Sequence, residues 1–294
     1  MTDLDPRLNA YRTDLADRRL RDRIEAARFV DGVPMRVSEA VVPLNRRPGM
    51  DAPIDSQVLF GETVTSFDRR GGWVWCQSVV DDYVGYVPET ALAEPGPEPT
   101  HWVSVLTTPL YPEPELRRPP VAILSIGSRV TVVGTATVRD LDYALLPDGG
   151  AIVASHLAPV DRPIASDFVS IADRFVGLPY IWAGRSGFGV DCSGIIQLAM
   201  MMTGSNPLRD SDMQEATIGE ARPIDQGLED LERGDLVFWK GHVGIMIDPV
   251  TLLHASGYHM LVARDEARVV IDRLEAKGLP VAAVRRPEPI ARPH

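Results

Sequence analysis

Two stretches of the chain share a short pattern 66 residues apart, and this repeat limits the possible fold more than any other feature. Around both copies, short β-branched runs are broken by Gly, Pro and Asp, which predicts two small all-β units of similar design. The matching positions are Pro43-Leu44 and Pro109-Leu110, Gly61 and Gly127, and Val64 and Val130.

Changes in sequence character divide the chain into four parts. The Pro/Glu run AEPGPEPT (93–100) reads as a linker between the repeat copies. We therefore predict two β units, 36–95 and 98–160, each the size of an SH3-like barrel. Before them, apolar residues at roughly helical spacing among many charges predict a helical segment within 1–35. After them, 161–294 forms the fourth part.

The last part has the pattern of an α+β domain. Ser166 is a plausible N-cap for a helix over 167–176, and a second helix is expected to begin near Cys192 and end at Gly204. Apolar β-like runs follow, which predicts helices followed by an antiparallel sheet. The predicted strands cover 235–240, 242–247, 251–256 and 279–286.

Composition excludes several classes of function. A net charge of −11 argues against binding a phosphate backbone. Two cysteines make no disulfide framework, and no His/Cys run suggests zinc, so we expect no metal and no cofactor. The charged N-terminal stretch lacks the apolar core of a signal peptide, and no segment has the length of a membrane span. A cytoplasmic protein without nucleic-acid or membrane partners is the expectation.

Cys192 is the candidate nucleophile. It follows the glycine-rich run GRSGFGVDC (184–192) and precedes an apolar helix, whose positive end favours a thiolate. Free backbone N–H groups at that helix start would hold an oxyanion. A lone buried cysteine is more often an inert core residue. That interpretation suits Cys76, which lies in a strand-like run, and the residues alone leave it open for Cys192.

Two of the six histidines are predicted to face each other. Asp248-Pro249 lies between two β-like runs, and 248 is the midpoint of His242 and His254. A hairpin centred there places both histidines on one sheet face, opposite each other or one pair apart. This arrangement suits a catalytic base and the residue that orients it. A structural pair, or a metal pair without a third ligand, remains the alternative.

Three separated motifs then match a known family. The runs YIWAGRSGFGVDCSG (180–194), GDLVFWKGHVGIMI (234–247) and LLHASG (252–257) resemble the NlpC/P60 cysteine peptidases, in the expected order. The resemblance implies a papain-like fold for 161–294 and a Cys–His–polar triad, matching Cys192, His242 and His254. One departure is Ala183, which stands where the family pattern YxWGG has its first glycine. It matters if that position needs a positive φ.

The wider layout resembles the dipeptidyl-peptidase VI type of this family. The resemblance implies cleavage of the γ-D-Glu–diamino acid bond in murein peptides such as L-Ala-γ-D-Glu-meso-diaminopimelate, during peptide recycling. It also implies substrate contacts by residues of two domains, with Tyr86 an alternative to Tyr83. Those residues are Tyr180, Asp191 and Ser193 in the last part, and Glu62 and Tyr83 in the first β unit.

These residues also allow other interpretations. Glu62 has no acidic counterpart in the second copy, where Ser128 replaces it, yet it is also explicable as a solvated turn acid. The same catalytic fold also serves amidases and acyltransferases. A non-catalytic peptide-binding protein with SH3-like domains is a further alternative, which predicts the loss of a triad residue.

Overall fold

The chain divides between Asp161 and Arg162 into two units, Met1–Asp161 and Arg162–His294. This computed structural model describes residues 4–224 and 230–288. The division lies one residue from the predicted start of the last part. Each unit is described by itself.

The helix predicted within 1–35 is wrong. The described residues there form two short parallel strands, β1 (Ala16–Asp17) and β2 (Phe29–Val30), and one 3-10 turn, Arg18–Leu20. Ala10 and Leu15 are buried against Phe67 and Trp75, two aromatic residues of the first repeat copy. The apolar residues at helical spacing are interrupted by many charges, so the segment has only a weak tendency to form a helix. Packing of its irregular backbone against the sheet of that copy overrides that tendency.

The first repeat copy forms one seven-stranded sheet. Its core residues come from alternating positions of the strands, such as Val42 and Leu44, which are both buried. The strands pair in the order β5-β4-β8-β7-β6-β3-β9, with all pairs antiparallel. They are β3 (Val33–Val37), β4 (Val41–Asn45), β5 (Ile54–Leu59), β6 (Thr63–Arg70), β7 (Trp73–Ser78), β8 (Val84–Pro88) and β9 (Leu92–Ala93).

The second copy has a similar order of strands, but the counterpart of β6 is divided into two strands, β13 and β14. They pair in three small antiparallel sheets, β13-β10-β17, β11-β12 and β14-β15-β16. A 3-10 turn precedes the last strand in both copies, Glu89–Ala91 and Ala154–His156. The strands are β10 (His101–Val103), β11 (Thr107–Leu110), β12 (Ala122–Ser125), β13 (Arg129–Val130), β14 (Gly134–Val138), β15 (Leu141–Leu145), β16 (Ala151–Val153) and β17 (Leu157–Pro159).

One backbone turn confirms the internal repeat. In each copy, a glycine with positive φ donates its N–H to the carbonyl oxygen of the valine that ends the first strand. The N–H of that valine donates in return to the carbonyl oxygen of the residue after the glycine. The φ angles are +76° at Gly61 and +84° at Gly127, a region that favours glycine. The bonds join Val37 with Gly61 and Glu62 (2.9 and 2.9 Å), and Val103 with Gly127 and Ser128 (3.0 and 2.8 Å).

The second unit is an α+β arrangement, as the sequence predicts. Its six-stranded sheet pairs in the order β20-β25-β21-β22-β23-β24, entirely antiparallel. The helices formed by its described residues include α1 (Phe168–Asp173), α2 (Cys192–Met201), α3 (Ser211–Thr217) and α4 (Ala267–Glu275). The strands are β18 (Arg185–Ser186), β19 (Gly189–Val190), β20 (Glu220–Arg222), β21 (Leu236–Trp239), β22 (His242–Met246), β23 (Thr251–Ser256), β24 (Leu261–Glu266) and β25 (Ala283–Arg286).

Every residue of α2 is buried, because this apolar helix lies against β22 and β23. The predicted start at Cys192 is confirmed, and the helix ends at Met201, three residues before Gly204. Helix α1 is shorter than predicted and is capped by Asp167, whose Oδ1 accepts from the Val169 N–H (3.0 Å), not by Ser166. None of the helices in the described part of the chain has the length and apolar character that a membrane span requires.

Candidate active site

Cys192 is the first residue of α2, and its thiol is buried at that helix start. Backbone N–H groups of Val243, on β22, and of Ser193 donate hydrogen bonds to the sulfur. The hydrogen bond from Val243 holds the start of β22, where His242 lies, next to the N-terminus of α2, where the thiol lies. The other cysteine, Cys76, is buried within the strand β7. Burial raises the pKa of Cys76 to about 12, which agrees with an inert core residue.

The protein environment keeps the Cys192 thiol protonated in the free protein. Burial, reinforced by the nearby Asp191 carboxylate, raises its pKa to about 12. The hydrogen bonds from Val243 and Ser193 and the charge of Arg209 act in the opposite direction and do not outweigh burial. The helix start therefore supplies hydrogen-bond donors to the sulfur, while the predicted resting thiolate is not favoured here. Nucleophilic attack requires a base that removes the proton.

His242 and His254 form a hydrogen-bonded pair, as the hairpin argument predicts. Strands β22 and β23 pair Ile245 with Leu253 and Met246 with Leu252. Extending that register places His254 opposite residue 244, so the two histidines lie one pair apart on the same face. The distance from His242 Nε2 to His254 Nδ1 is 2.9 Å, and the ring centroids are 5.1 Å apart.

Both histidines are held in the neutral form. Burial lowers the pKa of His242 to about 3, with smaller contributions from His254 and Arg273. Burial also lowers the pKa of His254, although a hydrogen bond to Asp265 partly opposes this effect. A neutral imidazole beside a neutral thiol is the starting state of general-base catalysis.

Asp265 extends this chain of side chains and was not predicted from the sequence. It lies on β24, and its Oδ2 is 3.2 Å from His254 Nε2 and 2.9 Å from Nε2 of His259. Asp265 lies two residues beyond Ala263, the partner of His254 across the sheet. Because side chains alternate along a strand, Asp265 lies on the same sheet face as Ala263 and His254. The sequence alone does not show which residue of 261–266 pairs with His254, so it does not identify Asp265.

A buried ion pair supports the loop that leads to Cys192. Asp191 caps α2, since its Oδ1 accepts the Gly194 N–H (2.7 Å), and Arg209 binds both of its oxygens (3.0 and 2.7 Å). Arg209, which is 1% exposed, also donates to Ser193 Oγ (2.9 Å) and to the carbonyl oxygen of Gly184 (3.3 Å). The sequence argument missed Arg209. A buried acid beside a nucleophile requires a countercharge, but no spacing rule identifies which arginine supplies it.

Two of the predicted substrate contacts therefore have structural roles. The carboxylate of Asp191 and the hydroxyl of Ser193 both bind Arg209. In addition, the side-chain nitrogen of Gln214 donates to the Ser193 carbonyl oxygen (3.0 Å). These bonds hold the start of α2 in place. The substrate contacts implied for Asp191 and Ser193 stay predictions.

Tyr180 lies near the thiol and keeps its proton. Its backbone N–H donates to the carbonyl oxygen of Met260 (2.9 Å), and it forms an isolated parallel bridge with Val190. Burial raises the pKa of Tyr180 to about 12, with further contributions from Cys192 and Asp191. A protonated phenol in this position is a hydrogen-bond donor.

Glu62 and Tyr83 belong to the first unit. Glu62 is fully buried, and its Oε2 accepts the Leu59 N–H (2.9 Å), so the interpretation as a solvated turn acid is wrong. Tyr83 is buried as well, and its N–H donates to Asp81 Oδ1 (3.3 Å). The hydroxyl of Tyr86, by contrast, accepts a hydrogen bond from Arg12 (3.0 Å). Their roles in binding substrate stay predictions.

Ala183 has a left-handed backbone, with φ +62°, and its side chain is buried. An L-residue in this region costs about 1–2 kcal/mol, whereas glycine adopts it freely. We expect Ala183→Gly to stabilise the second unit by about 0.5–1 kcal/mol, after the greater freedom of glycine in the unfolded chain is subtracted. Urea unfolding measures the change. As a control, Ala276→Gly at an exposed right-handed position should destabilise by about 0.5–1 kcal/mol. Equal effects of the two changes would contradict the strain at Ala183.

The residues that the structure describes include no group of three or more His, Cys, Asp or Glu side chains arranged to hold a metal ion. The cluster around His242 is instead connected by direct hydrogen bonds between its members. Its order runs from His242 to His254 and then to Asp265.

Comparison with known proteins identifies two families that match parts of this chain. The profile of the NlpC/P60 family matches residues 177–274, and that of the bacterial dipeptidyl-peptidase SH3 domain matches residues 44–92. These matches confirm an SH3-like region followed by an NlpC/P60 domain. An SH3-like assignment for the second copy, and a papain-like arrangement of 161–294, stay predictions.

Named relatives and solved structures agree with these profiles. A gamma-D-glutamyl-L-lysine dipeptidyl-peptidase of Bacillus cereus is 31% identical over 234 residues, which is 69% of this chain and 67% of that protein. The protein of the same name from Bacillus subtilis is 30% identical over 236 residues, 70% of this chain and 73% of that protein. A crystal structure of an NlpC/P60 family protein from Bacillus cereus shows a similar fold, with TM-score 0.70, 24% identity, and coverage of 86% of this chain and 99% of that one. The chain therefore belongs to the NlpC/P60 family, and it is a cysteine endopeptidase.

Proposed function

We propose that this endopeptidase hydrolyses the γ-D-Glu–diamino acid bond of murein peptides with a free N-terminal L-Ala. The observation that carries the proposal is the buried Cys192 beside a hydrogen-bonded pair, His242 and His254. Two relatives at 30% identity or more are named as gamma-D-glutamyl-L-lysine dipeptidyl-peptidases, which supports the same bond as the target.

In the acylation step, His242 removes the proton of the Cys192 thiol as the sulfur attacks the amide carbon. The His242 nitrogen that does not contact His254 is the one available for this proton. The carbonyl oxygen becomes an oxyanion, and we assign its stabilisation to the Cys192 backbone N–H and the Tyr180 hydroxyl. Protonated His242 then gives its proton to the leaving amine of the diamino acid, and the C–N bond breaks.

In the deacylation step, water attacks the thioester that joins L-Ala-γ-D-Glu to Cys192. His242 accepts a proton from the water, and a second oxyanion forms at the same donors. When the C–S bond breaks, the proton returns to the sulfur, which restores the neutral thiol. Because burial raises the pKa of Cys192 to about 12 and lowers that of His242 to about 3, each cycle starts and ends with both groups uncharged.

Recognition of the free peptide amine is assigned to the first unit. We assign Glu62 as its charged partner, supported by Tyr83, because a buried carboxylate favours an ammonium group. The second copy has the same turn with Ser128, so the acid is not needed for the backbone bonds of this turn. Glu62 also binds the Leu59 N–H, which orients its carboxylate.

A panel of four peptides tests the proposal. The free and N-acetylated forms of L-Ala-γ-D-Glu-meso-diaminopimelate and of its L-Lys counterpart are incubated with the protein, and mass spectrometry identifies the products. We expect L-Ala-γ-D-Glu and the free diamino acid from the unblocked peptides, and a rate lower by about 10²-fold or more after acetylation. Cys192→Ala, expected to be inactive, sets the background. Equal rates would contradict amine recognition, and no product from any peptide would overturn the proposed substrate.

A role in cytoplasmic recycling of murein peptides stays a prediction. It is motivated by the requirement for a free amine, which only peptides already released from the intact wall stem would carry. Fractionation of cells that produce the protein, followed by immunodetection, checks the location. Detection outside the cytoplasm would contradict this role without affecting the assigned chemistry.

A further inference from the structure

Asp265 contacts His254 and therefore affects which ring nitrogens of His254 and His242 carry a hydrogen. Its Oδ2 lies 3.2 Å from His254 Nε2, and the His254 side chain is 1% exposed. Burial alone would raise the pKa of Asp265, but hydrogen bonds from His259 and His254 outweigh it and keep the pKa below its ordinary value. Asp265 is therefore a carboxylate, and a carboxylate only accepts hydrogen bonds.

Because Asp265 is an acceptor, the nitrogen that carries the hydrogen can be assigned in each imidazole ring. Since Asp265 accepts, Nε2 of His254 must carry the hydrogen, and the neutral His254 then has an unprotonated Nδ1. The 2.9 Å contact between His254 Nδ1 and His242 Nε2 consequently requires the hydrogen to be on His242 Nε2. The Nδ1 atom of neutral His242 is left with a lone pair, which is the form required of a base.

We propose that Asp265 is a positioning residue that sets the tautomers of His254 and His242, so that His242 Nδ1 is the basic nitrogen. This inference rests on the proposed catalytic role of His242. Without the carboxylate, His254 is free to carry its hydrogen on Nδ1 and to donate it to His242 Nε2. His242 would then carry its own hydrogen on Nδ1 and could not accept the proton of Cys192.

Other charged groups around Asp265 define suitable controls. His259 donates to the same oxygen (2.9 Å) and is partly exposed, while Arg273 lies 3.8 Å away, with its guanidinium stacked on Tyr258 at 4.1 Å. Loss of His259 removes one donor and leaves the bond to His254. On the surface of the same unit, Asp173 pairs with Arg264, so removing this acid controls for the loss of a carboxylate as such.

The decisive measurement is the ring-nitrogen NMR spectrum of protein labelled with ¹⁵N-histidine. We expect His254 and His242 both protonated at Nε2 in the unmodified protein at neutral pH. In Asp265→Leu the population with hydrogen on Nδ1 should increase in both rings. In His259→Gln and Asp173→Leu both tautomers should remain as in the unmodified protein. This readout needs no substrate, so it is independent of whether the proposed peptide is cleaved.

Activity gives a second readout. For a peptide that the protein cleaves, Asp265→Leu should lower kcat by about 10²- to 10³-fold with little change in KM, because a wrong tautomer removes the base and not the binding site. Asp265→Asn keeps a neutral acceptor oxygen, so we expect about tenfold loss or less. The proposal is overturned if the unmodified protein has His254 protonated at Nδ1, or if Asp265→Leu leaves tautomers and kcat unchanged. A merely structural role predicts that losses follow the melting temperature and that the tautomers do not change.

Discussion

Replacing His242 by glutamine is expected to lower kcat/KM for the cleaved peptide by about 10⁴-fold or more, because the thiol then keeps its proton. Burial raises the pKa of Cys192 to about 12, so almost no thiolate exists near neutral pH without a base to create it. The substitution removes the base and leaves a side chain of similar length, so substrate binding should change little. Steady-state kinetics measures the effect, which should lie in kcat.

A matched control is His101→Gln. His101 is a partly buried histidine of the first unit, hydrogen-bonded to Thr100 at the start of β10, and its loss should change the rate less than about twofold. If His242→Gln retains more than about a tenth of the rate, another group must remove the thiol proton. The assignment of His242 as the base would then be wrong.

Replacing Arg209 by methionine is expected to destabilise the start of α2 by about 3–5 kcal/mol, since it leaves the carboxylate of Asp191 buried without a countercharge. Arg209 is 1% exposed and makes four hydrogen bonds to Asp191, Ser193 and Gly184. Native-state hydrogen exchange of the α2 amides measures the free energy of opening for this helix.

Two further variants identify the cause of that loss. In Arg264→Met the broken pair with Asp173 is half-exposed, so a change of about 1 kcal/mol or less is expected. The double variant of Arg209→Met with Asp191→Asn should recover part of the stability, because the unpaired charge is gone. If Arg209→Met costs no more than Arg264→Met, the buried pair does not stabilise the helix start.

The features that the sequence predicts well are those set by local rules. A glycine-rich run followed by an apolar stretch is sufficient to place the start of α2 at Cys192, because capping and hydrophobicity act over a few residues. The turn at Asp248 predicts the pairing of His242 and His254, because strand period and loop length determine which side chains share a face.

The features that it misses depend on contacts between distant segments. Arg209 and Asp191 are eighteen positions apart with a helix between them, and no period connects them. Asp265 meets His254 only after β24 pairs with β23 in a particular register. The N-terminal segment fails for the opposite reason. Its local spacing resembles a helix, but Leu15 and Ala10 gain more by packing on Phe67 and Trp75 of the first repeat copy.

The repeated turn at Glu62 and Ser128 has a consequence for how such a protein diversifies. The same backbone bonds form with a glutamate in one copy and a serine in the other, so the backbone bonds of this turn do not depend on the side chain at this position. Each of the two copies can therefore carry a different side chain at this position. A single substitution can then change the side chain at this position without rearranging the backbone turn that carries it.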